Sequence, residues 1–432
     1  MKLNKLQLAL IASGVLASSA HTLAAGFQLT NHSASGLGRA YAGDAAIADN
    51  AAVISRNPAA MAMFDSPEFS GGVNVIIPDT NKTNVKYDNG VTATQDIMDG
   101  KDLSSTSYVP ALYYIHPINN KFAVGLSAYS DFGTTVGFSD EFNAEGSMLT
   151  PAGFQDGAAG LFGGTTEVST FTLGVSGSYR INEMFSLGAS LKALKGEGTF
   201  KRPGPDLSAF GAGQLGLDFE GDGYAFAWDV GALLELNERN RFGLSYKSGI
   251  DFKADSSHSS YINQAGAPTT INSLELSLPS IVEFSGYHLV APKWAVHYSA
   301  MHVGWSSFDK IDFNLDDGTV YPKTYGWDDS WRLSLGTTYY LNEKLTLRAG
   351  IAKDESPISQ DKRVISIPDS DRMWYSVGGT YAFNQASSLD LALAYIDGKT
   401  IDVSESQDNI GTMTATSKTS AWIVGVQYNH KF

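Results

Sequence analysis

The chain ends Ala421-Trp422-Ile423-Val424-Gly425-Val426-Gln427-Tyr428-Asn429-His430-Lys431-Phe432, and the alternation in this stretch decides the fold. Successive side chains of a strand point to opposite faces. Trp422, Val424, Val426, Tyr428 and Phe432 therefore share one face, while Gly425, Gln427, Asn429 and Lys431 share the other. A terminal Phe after such a ribbon has the form of an assembly signal for a membrane β-barrel, which the barrel-assembly machinery would read.

The same period of two recurs upstream. Trp331, Leu333, Leu335, Thr337, Tyr339 and Leu341 oppose Arg332, Ser334, Gly336, Thr338 and Tyr340. Leu389, Leu391, Leu393 and Tyr395 oppose Asp390, Ala392 and Ala394, and Trp294, Val296 and Tyr298 oppose Ala295, His297 and Ser299. A soluble sandwich would bury its apolar face in strands of about five or six residues. Many of these ribbons are longer, as a tilted strand must be to cross a bilayer. Trp228, Trp294, Trp305, Trp331, Trp374, Trp422 and Tyr428 stand near strand ends, where interfacial girdles belong.

Turn residues set the strand count. Short turns are expected at Asn119-Asn120, Asn182-Glu183, 237–240, Ala291-Pro292, Asn342-Glu343 and 384–386. Long polar, Gly-rich segments fall near 78–106, 131–166, 201–221, 253–272, 306–328, 353–370 and 398–416. Six short turns alternating with seven long loops join fourteen strands, an even number that leaves both termini on the periplasmic side. The expected strands are 67–77, 107–117, 121–130, 167–181, 184–200, 222–236, 241–252, 273–290, 293–305, 329–341, 344–352, 371–383, 387–397 and 417–432. The fold class is thus all-β: a fourteen-stranded antiparallel transmembrane barrel over 67–432.

Composition narrows the function. The 432 residues carry a net charge of −15 and no Cys. The acidic balance argues against nucleic acid as a partner. Absence of Cys removes disulfide scaffolds, thiolate metal centres and Cys nucleophiles. Lys2 and Lys5 precede an apolar run from Leu8 to Leu16 and small residues ending Thr22-Leu23-Ala24-Ala25, the plan of a signal peptide over 1–24. No interior stretch reaches the length of a membrane helix.

Residues 25–66 differ from the rest: small, apolar and without sustained period. They contain Gly36-Leu37-Gly38-Arg39-Ala40-Tyr41, which lacks the strand and the Gly-Lys-Ser/Thr of a phosphate loop. A fourteen-stranded wall encloses a lumen too wide for its own side chains to fill. The segment is therefore expected to be a plug, or hatch, with a turn at Asn57-Pro58 because proline disfavours helix at the residue before it. An exposed periplasmic arm is the alternative.

Gly26-Phe27-Gln28-Leu29, Ser35 to Tyr41, Ala46-Ile47-Ala48-Asp49, Ser55-Arg56-Asn57-Pro58-Ala59 and Ile365-Ser366-Ile367-Pro368-Asp369 with Asp371-Arg372 resemble the FadL-type outer-membrane long-chain fatty acid transporters. That resemblance spans the mature chain. It implies an N-terminal hatch and uptake of long-chain fatty acids, which leave through an opening in the wall beside an inward kink of the third strand. The kink maps to Asp131-Phe132-Gly133, and Asn57, Pro58, Ala59 and Gly133 become gating positions. The resemblance also places a cation at the end of the fifth strand, Arg202, with Lys201 competing, and another before the tenth strand, Lys323. It puts Phe27 in the tail pocket. It further implies a monomer among outer-membrane lipids, with no catalytic residues, no cofactor and no metal.

The physical chemistry of such a cargo agrees with cations and a moving part. Sixteen carbons bury ~14 CH₂ groups at about 0.8 kcal/mol each, of order 11 kcal/mol. So firm a hold releases slowly, which calls for two states of the protein. An ionised head also needs a buried partner. Met148, Leu149, Phe154, Leu161, Phe162, Phe210, Leu215 and Leu217 are candidates for an outer collecting groove, although the 201–221 loop is short for the family. Rival readings are a channel for aromatic or other hydrophobic molecules, a general porin, and an esterase. The last would need a Ser–His pair, and His288, His297 and His302 lack a neighbouring Gly-x-Ser-x-Gly.

Overall fold

The computed structural model describes residues 26–210, 213–262, 268–367 and 369–432. The expected signal segment 1–24, with Ala25, and Pro368 of the resemblance motif lie outside the described residues.

Fourteen antiparallel strands close on themselves. They are β1 (Glu68–Asp88), β2 (Ser107–Pro117), β3 (Phe122–Tyr129, resuming as Gly133–Gly137), β4 (Thr165–Arg180), β5 (Phe185–Asp206) and β6 (Gln214–Asn237). Next come β7 (Asn240–Lys247, then Ile250–Ile262), β8 (Ile271–Leu278, then Ile281–Ala291) and β9 (Trp294–Val303, then Lys310–Leu315). The wall finishes with β10 (Ser330–Tyr340), β11 (Leu345–Asp354), β12 (Arg372–Ala382), β13 (Ser387–Gly398) and β14 (Gly411–Lys431). Each pairs with the next, and β14 closes on β1 through a register that includes Val73↔Val426 and Ile77↔Trp422.

The alternation reads out as written in the sequence, with Trp422, Val424, Val426 and Tyr428 exposed and Gly425, Gln427 and Asn429 buried. Around the wall the outward face is apolar and bare: Leu191 is 74% and Phe226 82% exposed. A water-facing surface would not carry such a band, whereas lipid requires it. Trp228, Trp294, Trp331 and Trp422 lie on this outward face, but Trp305 and Trp374 are fully buried and do not belong to the girdle.

Several expected loops are instead strand. β5 runs on to Asp206 and β6 starts at Gln214, so most of 201–221 is a hairpin, and β7 continues to Ile262. In these outer extensions the outward face meets water rather than lipid and carries polar residues, so the lipid-facing apolar period is lost while the backbone ladder persists.

The segment 26–66 lies inside the barrel. Ala34 N–H donates to Gln427 Oε1 (3.1 Å), Gly43 N–H to Ser299 Oγ (2.9 Å) and Ala51 N–H to Ser70 Oγ (3.0 Å), so the β14–β1 seam and β9 both hold it. Inward glycines admit its backbone: a Cβ at Gly188 would overlap Pro58 and Ala59, at Gly243 Ala45, and at Gly350 Arg39. Short helices Ala34–Leu37 and Asp44–Ile47 and 3₁₀ turns Ala51–Ser55 and Pro58–Met63 make up the segment. Ser33, Asn50 and Asn57 cap three of these turns with their side chains. At the same end of the barrel, Phe432 N–H donates to Pro67 O (2.9 Å).

Candidate functional site

β7, β8 and β9 each break between their lower and upper parts, and an apolar chamber forms at these elbows. Phe200, Phe219, Phe252, Leu274 and Leu278 enclose it, and Phe27 enters from the N-terminal segment. The Phe27 ring is 6% exposed and packs edge-on against Trp305 (4.9 Å) and Phe308 (5.2 Å), with Trp327 at 5.7 Å. Free volume in the chamber is about 20 Å³, room for one water molecule. An acyl chain can enter only if Phe27 or its neighbours give way.

At the outer end stand the two expected cations. Arg202 follows Phe200 on the inward face of β5 and donates to Thr165 O and Lys201 O, both at 2.8 Å, and to Thr166 Oγ1 at 2.7 Å. No carboxylate lies within ion-pair distance of it among the described residues. Burial pulls its pKa below the usual value. Lys201 points the other way, to Glu220 Oε1 (2.7 Å), and is half-exposed, so it is not the interior cation.

Lys323 sits on the short strand Val320–Thr324 and pairs with Glu405 Oε1 at 3.4 Å. Burial opposes its charge, but Glu405 and Tyr325 outweigh that and raise its pKa. Arg202 and Lys323 feel one another, and both feel Glu405 and Tyr325. The arrangement is a pair of cations at the mouth of an apolar chamber, one of them shared with a carboxylate. Glu405 carried no signal in the sequence, being 82 residues from Lys323.

The third strand breaks where the alternation broke. Pairing with β4 shifts by one residue between Tyr129↔Thr172 and Gly133↔Ser169, leaving Ser130, Asp131 and Phe132 as a bulge. Pairing of β3 with β2 stops at Leu112↔Ala128, so 107–111 of β2 face β3 with no ladder. The freed backbone turns inward to the N-terminal segment: Leu29 N–H donates to Asp131 O (2.7 Å) and Gly133 N–H to Phe27 O (2.9 Å). The Phe27–Leu29 segment and the β3 break are thus joined by two backbone hydrogen bonds.

Asn57 is fully buried in the lumen. Its Nδ2 donates to Ala45 O (2.7 Å) and to Ala232 O of β6 (3.0 Å), and its Oδ1 accepts from Ala59 N–H (3.0 Å). Pro58 opens the 3₁₀ turn that Asn57 caps. Sequence reasoning missed the charges that bind this segment to the wall. Arg39 pairs with Asp44 and Asp49 (both 2.8 Å), Asp49 with Arg348 of β11 (3.1 Å), and Arg56 with Glu283 of β8 (3.7 Å). Their signal was the presence of charges on the inward face of otherwise apolar ribbons. Of the proposed collecting-groove residues, Met148, Phe162 and Leu215 are buried, while Leu149 and Phe154 are exposed; the side chain of Phe210 lies outside the described residues.

Comparison with known proteins fits this architecture. The family model described as "Outer membrane protein transport protein (OMPP1/FadL/TodX)" matches residues 15–432. The "Long-chain fatty acid transport protein" of Escherichia coli O6:H1 is 37% identical, with 98% of each chain covered. "Outer membrane protein P1" of Haemophilus influenzae is 33% identical, with 100% of each covered. Among solved structures, a Pseudomonas aeruginosa FadL homologue superposes with a TM-score of 0.80 at 22% identity, over 94% of this chain and 100% of that one. The Ralstonia pickettii toluene transporter TbuX gives 0.65 at 15% identity, over 93% and 98%. Family and relatives are transporters and channels of the outer membrane rather than enzymes. A closed lipid-facing wall, a lumen filled by the N-terminal segment and a match along almost the whole sequence together place this chain in the OMPP1/FadL/TodX family of outer-membrane transport proteins.

Proposed function

We propose that the protein takes up long-chain fatty acids across the outer membrane, binding them in the chamber behind Phe27 and releasing them sideways through the wall at the β3 break. The observation that carries this reading is the order of chemistry along the inward face of β5: Arg202 at the outer end, then Phe200, then the apolar chamber. A carboxylate head is held by Arg202 and Lys323 while the tail lies among aromatic rings, which satisfies both halves of the ligand. The name of the E. coli relative supports the same cargo.

Residues 25–66 act in this reading as a hatch. Entry of an acyl tail displaces Phe27, and the hydrogen bonds from its neighbourhood to Asp131 and Gly133 pass the movement to the β3 break. Asn57, Pro58 and Ala59 fix the hatch to β6 and set which part of it moves. The protein works as a monomer surrounded by outer-membrane lipids, delivered there by the barrel-assembly machinery.

A channel for aromatic hydrocarbons is the second reading, favoured by the aromatic lining and by the toluene transporters among the structural neighbours. Binding of palmitate and of toluene to the detergent-purified protein separates them. Saturable palmitate binding that weakens in Arg202→Ala supports the first; toluene binding with no palmitate binding overturns it. Mass spectrometry of lipids that co-purify gives an independent reading of the cargo.

A further inference from the structure

Below the chamber, the lumen holds a second charged cluster, two lysines against two aspartates, that the uptake reading does not use. Lys192 of β5 pairs with Asp229 Oδ2 of β6, and both side chains are 3% exposed. Lys247 of β7 reaches Asp131 Oδ1 at the β3 break, 3.2 Å away, and both are 11% exposed. Lys192 lies 5.3 Å and Lys247 5.8 Å from the centre of the Tyr129 ring. His32 of the N-terminal segment stands 3.7 Å from the same Asp131 oxygen.

Arg39, Asp49 and Arg56 tie the N-terminal segment to the wall or to itself, whereas the Lys192–Asp229 pair, like Arg348–Asp390, joins wall to wall. An ion pair so deeply buried is weak support for stability, since an apolar pair of similar volume would serve as well. Polar groups also wait beside it: Tyr129 Oη and Ser127 Oγ are buried with no hydrogen-bond partner. Gly174 stands between Ser127 and Lys192 across the ladder, and a Cβ there would press on the Ser127 hydroxyl. Directly outside, an apolar groove on the lipid-facing wall runs past Leu112, Leu126, Leu173, Leu191 and Phe226, and Lys192 and Ser127 contribute to its floor.

The inward face of β5 reads Lys192, Leu194, Gly196, Gly198, Phe200, Arg202. The two cations stand ten positions apart, roughly 33 Å of strand, with only uncharged residues between them on that face. We propose that Lys192, with Lys247 beside it, is a second binding station for the carboxylate head, occupied as the tail leaves through the gap between β2 and β3. The head displaces Asp131 and Asp229 from the two ammonium groups and accepts from Tyr129 and Ser127. No covalent bond is made or broken; the incoming carboxylate takes the place of the two side-chain carboxylates at the ammonium groups. This inference rests on the uptake reading and adds to it a site at the exit.

Uptake by cells expressing the full chain tests it, comparing palmitic acid with hexadecanol, which has the same tail and no charge. K192M/D229L removes both charges of the pair together and strands neither, and heat-modifiable migration reports a folded barrel. Acid uptake is expected to fall at least fivefold and hexadecanol uptake to stay within twofold. Palmitate binding to the purified variant should also stay within twofold, because Arg202 is untouched. K192R, which keeps the cation, should retain acid uptake. Wild-type acid uptake in folded K192M/D229L, or equal loss of acid and alcohol, overturns the second station while leaving the uptake reading intact. Failure of the wild type to take up or bind palmitate overturns both.

Discussion

Asn57 is seated against Gly231: a Cβ on Gly231 would overlap Asn57 Oδ1, and Asn57 Nδ2 donates to the carbonyl of the next residue on β6, Ala232. The wall has given up a side chain to let the N-terminal segment dock. Gly231→Ala should push Asn57 out of its seat and leave a strand that any residue can adopt. The expected outcome is a folded barrel with raised single-channel conductance in a planar bilayer. Conductance equal to wild type would show that the docking does not keep the lumen closed.

Arg202 and Lys201 are neighbours with opposite fates. Arg202→Ala removes a partly buried guanidinium at the chamber mouth and should weaken palmitate binding by about 1.5–3 kcal/mol, the range for a hydrogen bond to a charged group. Lys201→Ala removes a half-exposed ammonium already paired with Glu220 and should leave affinity unchanged. Titration calorimetry of the two purified variants checks both halves. Equal effects would take the register of β5 out of the explanation.

A third variant should move affinity the other way. Glu405 competes for Lys323 at 3.4 Å, and its second oxygen accepts from Ile365 N–H at 2.8 Å. Glu405→Gln can keep the backbone hydrogen bond and removes the competing charge. Palmitate binding should tighten by roughly 0.5–1 kcal/mol, small because Lys323 is partly exposed and screened. Hexadecanol binding should not change. Weaker palmitate binding in this variant would mean that Glu405 positions Lys323 rather than competes for it.

How much of this was legible depends on what each face of a strand touches. Where one face meets lipid and the other the lumen, as at Trp422 to Lys431, hydropathy alternates and the strand, its register and its outward side are all readable. Beyond the membrane the outward face meets water, and polar residues replace the apolar ones that mark a lipid-facing side. Asp218, Glu220 and Asp222 on β6 lie opposite Ser260, His258 and Asp255 on β7, so the stretch reads as loop although it is ladder. Trp374 had the right residue type for a girdle but the inward parity, and Trp305 lies in the turn between the two parts of β9, neither of which composition reports. The site was legible in part for the same reason. Arg202 and Phe27 stood out through family motifs, whereas Glu405, Asp131, Lys192 and Lys247 converge only once the wall has closed. No spacing along the chain encodes a meeting across a lumen.

One buried lysine gives a pH signature. Lys82 lies on β1 past the apolar band that ends at Ile77, level with the outer loop through its bridge to Gly100. It is fully buried, donates to Ser417 Oγ at 2.9 Å, and burial lowers its pKa to about 7 despite the pull of Glu405. The unfolded chain holds the proton up to the ordinary lysine range, so above pH 7 the unfolded state binds more protons than the folded one. Stability should therefore rise with pH from about 7 toward 10, by at most about 1.4 kcal/mol per pH unit from this group. Lys82→Met removes the titration and should flatten that rise, with its largest gain over wild type at pH 6. Urea unfolding of the full chain in lipid vesicles at pH 6, 8 and 9.5 reads it out. Parallel pH profiles for wild type and Lys82→Met would mean that the ammonium at position 82 finds enough solvent or countercharge in the folded barrel to titrate as it does in the unfolded chain.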